Sequence, residues 1–215
     1  MIYFRVLEFP NYQPVEGSFE STPDCVTNVA VHGMYYSLTD DLFLNQYECK
    51  ARVMMQMRFD GCLGFPGGLI DPDDHTIEDG LNREIMEEMG VGSPALLFSP
   101  DDFAFKHLST NTKHLLYFYV KRVPLEEYLF MERCVLNAKE FGKEVLCEFS
   151  TTTPQTLGLI RVPCYTMDDG TKGLPTFFNN RFAGNAKLQL ILGLLKAEIL
   201  SFDEIMKVLQ ASKNN

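Results

Sequence analysis

The sequence has no apolar run of the roughly 18–20 residues that a helix needs to cross a bilayer. Its first ten residues also lack the basic start, the longer apolar stretch and the small-residue cleavage site of a signal peptide. These two absences exclude the usual signals for membrane insertion and secretion. The default expectation is therefore an intracellular protein without a membrane partner.

The six cysteines contain no C-x-x-C pair and are scattered through apolar sequence. Zinc sites and disulfide frameworks have closely spaced cysteines in recurring patterns, so neither is expected here. Reduced and mostly buried thiols are the simpler interpretation.

Positive charge is scarce, since 19 Lys and Arg face 29 Asp and Glu and the net charge is −10. Non-specific binding to a long polyanion requires many Lys and Arg contacts with phosphates, so this composition disfavours it. A small phosphorylated ligand, or the end of an RNA, is still compatible, because a metal ion and a few local cations suffice to hold it.

The length of 215 residues and the hydrophobic fraction of 46% favour one soluble globular domain. Residues 1–23 show little periodicity and contain several turn-favouring residues, among them Pro10, Pro14, Gly17, Ser18, Ser21 and Thr22. We therefore predict a loosely structured lead-in followed by a single domain over 24–215. Apolar periodicity predicts strands over 27–37, 50–59, 113–123 and 157–165, and helices over 77–89, 125–141 and 186–198. This mixture favours an α/β or α+β sandwich in which helices flank a mixed β-sheet.

A glycine-rich turn over 61–68 precedes the first predicted helix, on which three carboxylates are neighbours. Glu84, Glu87 and Glu88 are spaced i, i+3 and i+4, which brings their side chains together on the helix surface and makes them repel one another. Mg²⁺ is held by one or two carboxylates together with substrate phosphates, so the cluster indicates a divalent cation site. The alternative for an arbitrary string of this kind is a solvated acidic helix face.

Residues 83–91, Arg-Glu-Ile-Met-Glu-Glu-Met-Gly-Val, match the second half of the pattern G-x5-E-x7-R-E-U-x-E-E-x-G-U, where U is apolar. The segment from Gly67 to Gly90 therefore resembles a Nudix box. The first half departs from it, because fourteen residues separate Gly68 from Arg83, one more than the pattern has. His75 holds the place of the early glutamate. The candidate replacements are Asp71, Asp73 and Asp74.

A narrower resemblance extends over residues 25–198 and is carried by the segments 55–61, 63–68, 78–84 and 173–177. These are similar to the Nudix motif sixteen subfamily, which implies a Nudix-type fold and a hydrolase that depends on Mg²⁺ or Mn²⁺, with Co²⁺ as a further candidate. The resemblance implies cleavage of inosine and deoxyinosine diphosphates and removal of caps from small nucleolar and other RNAs. It also implies a homodimer located in the nucleus, in nucleolus and nucleoplasm, with the cytoplasm as a second location.

The same resemblance implies roles for the residues of the box. Glu84 and Glu88 resemble the principal metal ligands, the Gly67 carbonyl is a further ligand, and Glu87 is a secondary ligand or orients water. Glu84 is the first choice for general base. His107 is implied to donate a proton or bind phosphate, whereas its ordinary explanation is a surface histidine at the start of a loop.

Four more residues fall where the subfamily recognises the nucleotide: His32, Arg58, Phe65 and Gln189. Each has an ordinary alternative. His32 lies in an apolar run, where a hydrogen-bonded core histidine is common, and Phe65 is as well suited to a core as to stacking on a base. Arg58 suits either phosphate contact or a solvated strand face. The Gln189 amide suits either a purine edge or a local hydrogen bond.

Two rival functions follow from the same fold. One is a catalytically silent module that binds RNA or protein, as in the Tudor-interacting repair regulators, but that sister group has lost the Nudix glutamates that this chain retains. The other is a phosphodiesterase for ADP-ribose or protein-linked ADP-ribose. Residues 148–158 are predicted to be an insertion relative to the subfamily.

Overall fold

The computed structural model describes Leu7, Pro23 and residues 9–15, 25–141 and 156–213. Within them lie ten strands: β1 (Tyr12–Pro14), β2 (Asn28–Leu38), β3 (Leu42–Phe43), β4 (Tyr47–Glu48), β5 (Ala51–Arg58), β6 (Leu63–Gly64), β7 (Gly67–Leu69), β8 (Phe103–Ser109), β9 (His114–Arg122) and β10 (Thr156–Val162). The α-helices are α1 (Ile77–Met89), α2 (Leu125–Cys134), α3 (Leu174–Phe177), α4 (Ala186–Lys196) and α5 (Phe202–Lys213). Short 3₁₀ helices occupy Pro100–Asp102 and Val135–Asn137.

Eight of the strands form one mixed sheet, six of them in the order β1-β8-β9-β2-β5-β10, with β6 paired to β5 and β7 paired to β2 off this path. Strand β2 pairs in parallel with β9, and the other pairings in this sheet are antiparallel. The mixed sheet confirms the predicted fold class. Among the described residues, no helix is long and apolar enough to span a membrane.

Strands β2 and β5 pair only over a short stretch, from Tyr36–Leu38 to Ala51–Val53. Beyond it they separate, and the glycine-rich segment fills the gap, with β6 paired to β5 and β7 paired to β2. The split opens the sheet at this glycine-rich turn, called the glycine loop below.

Each face of the sheet packs against helices, because successive side chains on a strand point to opposite faces. On one face, α1 and α2 bury Leu81, Ile85 and Tyr128 against strand residues such as Val31. On the other face, α3, α4 and α5 pack against strand residues such as Met34. The helices on both sides make the predicted sandwich.

Helix α1 begins and ends at residues whose chemistry stabilises a helix terminus. The Thr76 hydroxyl accepts a hydrogen bond from the Asp79 backbone N–H at 3.0 Å, and the Asp79 carboxylate accepts from the Thr76 N–H at 3.1 Å. Gly90 takes the left-handed conformation at the carboxyl end, with φ of 66°. The predicted helix over 77–89 is confirmed residue for residue.

Other predictions were less accurate. The helix predicted over 125–141 ends at Cys134 and is followed by a 3₁₀ turn. Strand β8 and helix α5 were not predicted. Part of the predicted lead-in forms β1. The predicted insertion over 148–158 falls largely within residues 142–155, which lie outside the described residues. The domain boundary predicted at residue 23 stays a prediction.

Candidate active site

A cleft of about 330 Å³ opens where β2 and β5 separate, and it reaches from the end of α1 to the start of α4. Six of the predicted site residues line it, although they come from four separate regions of the chain. These are His32, Arg58, Phe65, Gly67, Glu88 and Gln189.

Glu88 is tied to the glycine loop. Its Oε2 accepts a hydrogen bond from the backbone N–H of Gly67 at 2.9 Å and another from Gln56 Nε2 at 3.1 Å. Burial raises the pKa of Glu88 to about 8, although both hydrogen bonds act in the opposite direction. Two hydrogen bonds do not offset the cost of burying this charge, so a bound cation would stabilise the carboxylate.

Glu84 lies directly behind the loop, and the two glycines are required there. A Cβ at position 68 would lie 2.5 Å from Glu84 Oε1, and a Cβ at Gly67 would lie 2.1 Å from the Val31 carbonyl oxygen. Gly67 also has φ of 132°, which a side chain rarely permits. Burial, and secondarily the charge of Glu87, raise the pKa of Glu84, while Arg83 opposes the change.

Glu87 has a different environment from the other two carboxylates. It pairs with Lys139, with Nζ 2.5 Å from Oε1, and with Arg83, with Nη1 3.6 Å from Oε2. Glu88 lines the cleft, whereas Glu87 and Glu84 do not. Its predicted roles as a secondary ligand and in catalysis stay predictions.

The carboxylates near the glycine loop supply some of the ligands that a divalent cation needs. Among the described residues, no group of three Asp, Glu, His or Cys is arranged to hold a metal ion. Glu84 and Glu88 nevertheless lie at the same glycine loop, and the charge of Glu84 contributes to the raised pKa of Glu88. Two carboxylates are what Mg²⁺ requires when substrate phosphates supply further ligands.

Arg83 joins helix α1 to the segment that connects β7 with this helix, a contact called the clamp below. It donates to both oxygens of Asp74, at 3.2 and 3.0 Å, and to the Leu69 carbonyl at 3.1 Å. Of the three candidates for the missing early glutamate, Asp74 makes this close pair, Asp71 lies 3.4 Å from Arg83, and Asp73 is exposed. The hydrogen bond from Arg83 lowers the pKa of Asp74, so its carboxylate stays charged at neutral pH.

Arg58 brings positive charge to the cleft. Its Nη2 lies 2.9 Å from Asp60 Oδ2, a pairing that holds the guanidinium just before the glycine loop. Burial, followed by the charge of Arg58, lowers the pKa of His32 to about 4. His32 is therefore neutral at pH 7, and one cation faces the cleft from this side.

Three buried nitrogens that belong to cleft residues have no hydrogen-bond partner among the described residues: His32 Nδ1, Asn185 Nδ2 and Gln189 Nε2. Leaving such a group unsatisfied is costly, so the arrangement favours a polar ligand that pairs with them. Asn185 was not predicted. It precedes α4 as an N-cap residue, a position that indicates a helix start, yet its side chain makes no capping hydrogen bond.

Phe65 is a core residue at the cleft, and its predicted stacking on a base stays a prediction. It is buried in the core, where its ring meets Phe118 edge-on with centroids 5.0 Å apart, and it also lines the cleft. His107, in contrast, is fully buried on β8, lies against Phe105 and does not line the cleft. Burial lowers the pKa of His107 to about 3. The alternative of a surface histidine is therefore wrong, because the side chain is fully buried, and its predicted role as proton donor or phosphate ligand stays a prediction.

Comparisons with known proteins agree on one family. Residues 29–200 match a family model described as Nudt16-like, U8 snoRNA-decapping enzyme-like. The U8 snoRNA-decapping enzyme of Bos taurus is 40% identical over 172 residues, covering 78% of this chain and 83% of that protein. The Tudor-interacting repair regulator protein of Homo sapiens is 32% identical over 182 residues, covering 84% and 79%.

Among solved structures, the NUDIX domain of Shewanella oneidensis NrtR complexed with ADP ribose has a TM-score of 0.45 and 15% identity. The match covers 83% of this chain and 92% of that one.

Proposed function

The chain belongs to the Nudt16-like, U8 snoRNA-decapping enzyme-like family of Nudix hydrolases, and from this premise we propose its substrates and its metal. It is a hydrolase of the phosphoanhydride bonds of nucleotides or RNA caps. We propose that it acts on inosine and deoxyinosine diphosphates and on capped RNA, including small nucleolar RNA, with Mg²⁺ or Mn²⁺ as cofactor and Co²⁺ as a further candidate.

The proposal rests on a single cleft that is lined by an acidic side chain at one end and by amide side chains at the other. The acidic end of α1 and the glycine loop contribute Glu88 and Gly67, whereas the start of α4 contributes the amides of Asn185 and Gln189. A nucleotide has the same division, with charged phosphates at one end and a polar base at the other.

The amide nitrogens support a purine with hydrogen-bond acceptors on its edge. Asn185 Nδ2 and Gln189 Nε2 are donors without partners among the described residues. The guanine edge presents O6 and N7 as acceptors, and hypoxanthine has the same two atoms. Inosine and guanosine nucleotides therefore fit this wall better than adenosine, which presents an amino group at the sixth position.

At the other end, we propose that Arg58, which lines the cleft beside its partner Asp60, contacts a phosphate. Glu84 and Glu88, with the Gly67 carbonyl, would hold the cation, which lowers the pKa of water and offsets phosphate charge when it is bound. Hydrolysis forms a bond between the water oxygen and phosphorus as the anhydride P–O bond breaks. Glu84 is our choice to accept the water proton, on the resemblance to the wider Nudix family.

The first experiment measures phosphate and nucleoside-monophosphate release from inosine diphosphate with Mg²⁺ or Mn²⁺, for the native chain and for Glu88→Gln. The amide of this variant keeps an oxygen that accepts from Gly67 but loses the charge, so we expect activity to fall at least a hundredfold. Glu126→Gln, an exposed change on α2, should retain activity. If the native chain turns over neither inosine diphosphate, capped RNA nor ADP-ribose, the proposal fails.

A second candidate is the silent binding module, and the match to the human Tudor-interacting repair regulator protein favours it. In that case the native chain would bind RNA or protein, and Glu88→Gln would leave the binding constant unchanged. The presence of Glu84, Glu87 and Glu88 supports the enzyme instead.

Two further proposals rest on resemblance alone. We propose a location in the nucleus, in nucleolus and nucleoplasm with the cytoplasm second, because the family description names a small nucleolar RNA-decapping enzyme. We also propose a homodimer, which light scattering of the purified chain would test. Imaging of the tagged chain with a nucleolar marker would test the location.

A further inference from the structure

Strand β1 precedes the part of the chain that the family model matches. It comprises Tyr12–Pro14, whereas the family match begins at residue 29. The strand is held to the sheet by its backbone, since Tyr12 aligns with Ser109 in an antiparallel pairing with β8. Hydrogen bonds continue on either side, from Thr110 N to the Asn11 carbonyl at 2.9 Å and from Val15 N to the Lys106 carbonyl at 3.2 Å.

Strand β1 forms part of the cleft. Tyr12 lines it together with Ser109, Thr112 and His114, in the same cavity that reaches Glu88. The Thr112 hydroxyl lies 2.9 Å from the Ser109 hydroxyl, and His114 Nε2 lies 3.3 Å from Asn28 Nδ2. We call Tyr12, Ser109, Thr112 and His114 the distal wall.

The distal wall is polar and carries one aromatic ring. The Tyr12 ring packs partly against the core, and burial raises the pKa of its hydroxyl, which therefore stays protonated at neutral pH. A rigid ring beside hydroxyl and imidazole groups suits a nucleoside, whose base stacks and whose sugar forms hydrogen bonds.

The distal wall is well separated from the glycine loop. The loop pairs with β2, and β1 lies three strands further along the sheet, beyond β9 and β8. At about 4.8 Å per strand this is roughly 14 Å, so a group bound at the distal wall would be distinct from the phosphates bound at Glu88.

On the basis of the proposed function, we propose that the distal wall is a subsite for a second nucleoside, joined through phosphates to the one held by Asn185 and Gln189. The first transcribed nucleoside of a capped RNA has this chemistry. The cleft would then distinguish a cap from a nucleoside diphosphate, and Tyr12 would be a specificity-determining residue.

The absence of tryptophan from the chain permits a direct binding test. Tyr12→Trp introduces the only tryptophan, which can be excited selectively over the remaining tyrosines, and a base that stacks on it should quench its emission. The variant is titrated, with a chelator present, with the cap dinucleotide guanosine-triphosphate-guanosine and with guanosine diphosphate. The control is Phe130→Trp, an exposed position on α2, which packs against the opposite face of the sheet.

We expect the cap dinucleotide to quench Tyr12→Trp at least several-fold more than guanosine diphosphate does, and neither ligand to quench Phe130→Trp. Equal quenching of Tyr12→Trp by both ligands, or none by the dinucleotide, would overturn the subsite. Because this readout needs no turnover, it is independent of the proposed function.

A kinetic test complements it. In Tyr12→Ala, KM for the cap dinucleotide should rise about tenfold while KM for inosine diphosphate stays unchanged, and Tyr12→Phe should retain the native values because the ring is kept. Parallel changes for both substrates would contradict the proposal. If the native chain turns over neither substrate but Tyr12→Trp is quenched selectively, the subsite stands and the hydrolase proposal fails.

Discussion

Glu88 on α1 accepts a hydrogen bond from the backbone N–H of Gly67 at 2.9 Å, and the two residues are 21 positions apart in the chain. The bond joins the carboxyl end of the helix to the first residue of β7. The glycine loop and the acidic helix are therefore one unit, and a change that displaces either element should displace the other. The predictions below test this unit and the walls of its cleft.

Gly67→Ala should destabilise the protein strongly. The backbone φ of 132° disfavours any side chain, and the new Cβ would lie 2.1 Å from the Val31 carbonyl oxygen. We expect a loss of about 1–3 kcal/mol or more in unfolding free energy, measured by urea denaturation. Gly158→Ala, where a Cβ meets nothing within 4 Å, is the control and should change stability by less than about 0.5 kcal/mol.

Asp74→Asn should loosen the clamp that Arg83 forms on the loop. The change removes the charge from a nearly buried partner and leaves Arg83 only partly compensated. We expect a loss of about 1–3 kcal/mol in unfolding free energy, together with reduced turnover. Asp73→Asn removes the same charge at an exposed position and should have little effect. Similar losses in the two variants would show that Asp74 does not replace the early glutamate.

Gln189→Met and Gln56→Met should have opposite effects on stability, although both amides are buried at the cleft. Gln189 Nε2 has no partner among the described residues, so removing it should stabilise the free protein by up to about 1 kcal/mol while KM rises. Gln56 Nε2 donates to Glu88, so its removal should cost about 1–3 kcal/mol. Thermal unfolding of the two variants, measured side by side, tests this difference. A destabilised Gln189→Met would contradict the conclusion that the Gln189 amide is unsatisfied in the free protein.

Acid should weaken the start of α5 through Glu204. This carboxylate accepts hydrogen bonds from Lys50 Nζ at 2.6 Å and from the Ser201 backbone N–H at 2.8 Å, which lower its pKa from 4.5 to about 2. A lowered folded-state pKa contributes stability above the unfolded value, near pH 4.5, and that contribution is lost as pH falls towards 2.

Because Glu204 is partly exposed, we expect the contribution to be roughly 1 kcal/mol. Glu204→Gln should therefore lower stability at pH 7 and flatten its decline between pH 5 and 2. Asp203→Asn, on the same turn and exposed, serves as control and should keep the native pH dependence.

The sequence by itself determined the elements whose signals lie within a few residues. Helix α1 has its cap at Thr76, its apolar stripe and its stop at Gly90, all within one short segment, and the spacing of Glu84 and Glu88 follows from the same helical period. The motif Ser201-x-x-Glu204 was a similar local signal, and it would have predicted the start of α5.

Only the tertiary structure decided which distant residues share a cleft. Sheet order brings Tyr12 and His114 to the same cavity as Glu88, and helix packing brings Asn185 there, whereas His107 is fully buried and does not line it. Such proximity depends on pairing between strands that are far apart in the chain, which no local period encodes. The close pairing of Arg83 with Asp74, rather than with Asp71 or Asp73, likewise depends on where the folded loop meets Arg83.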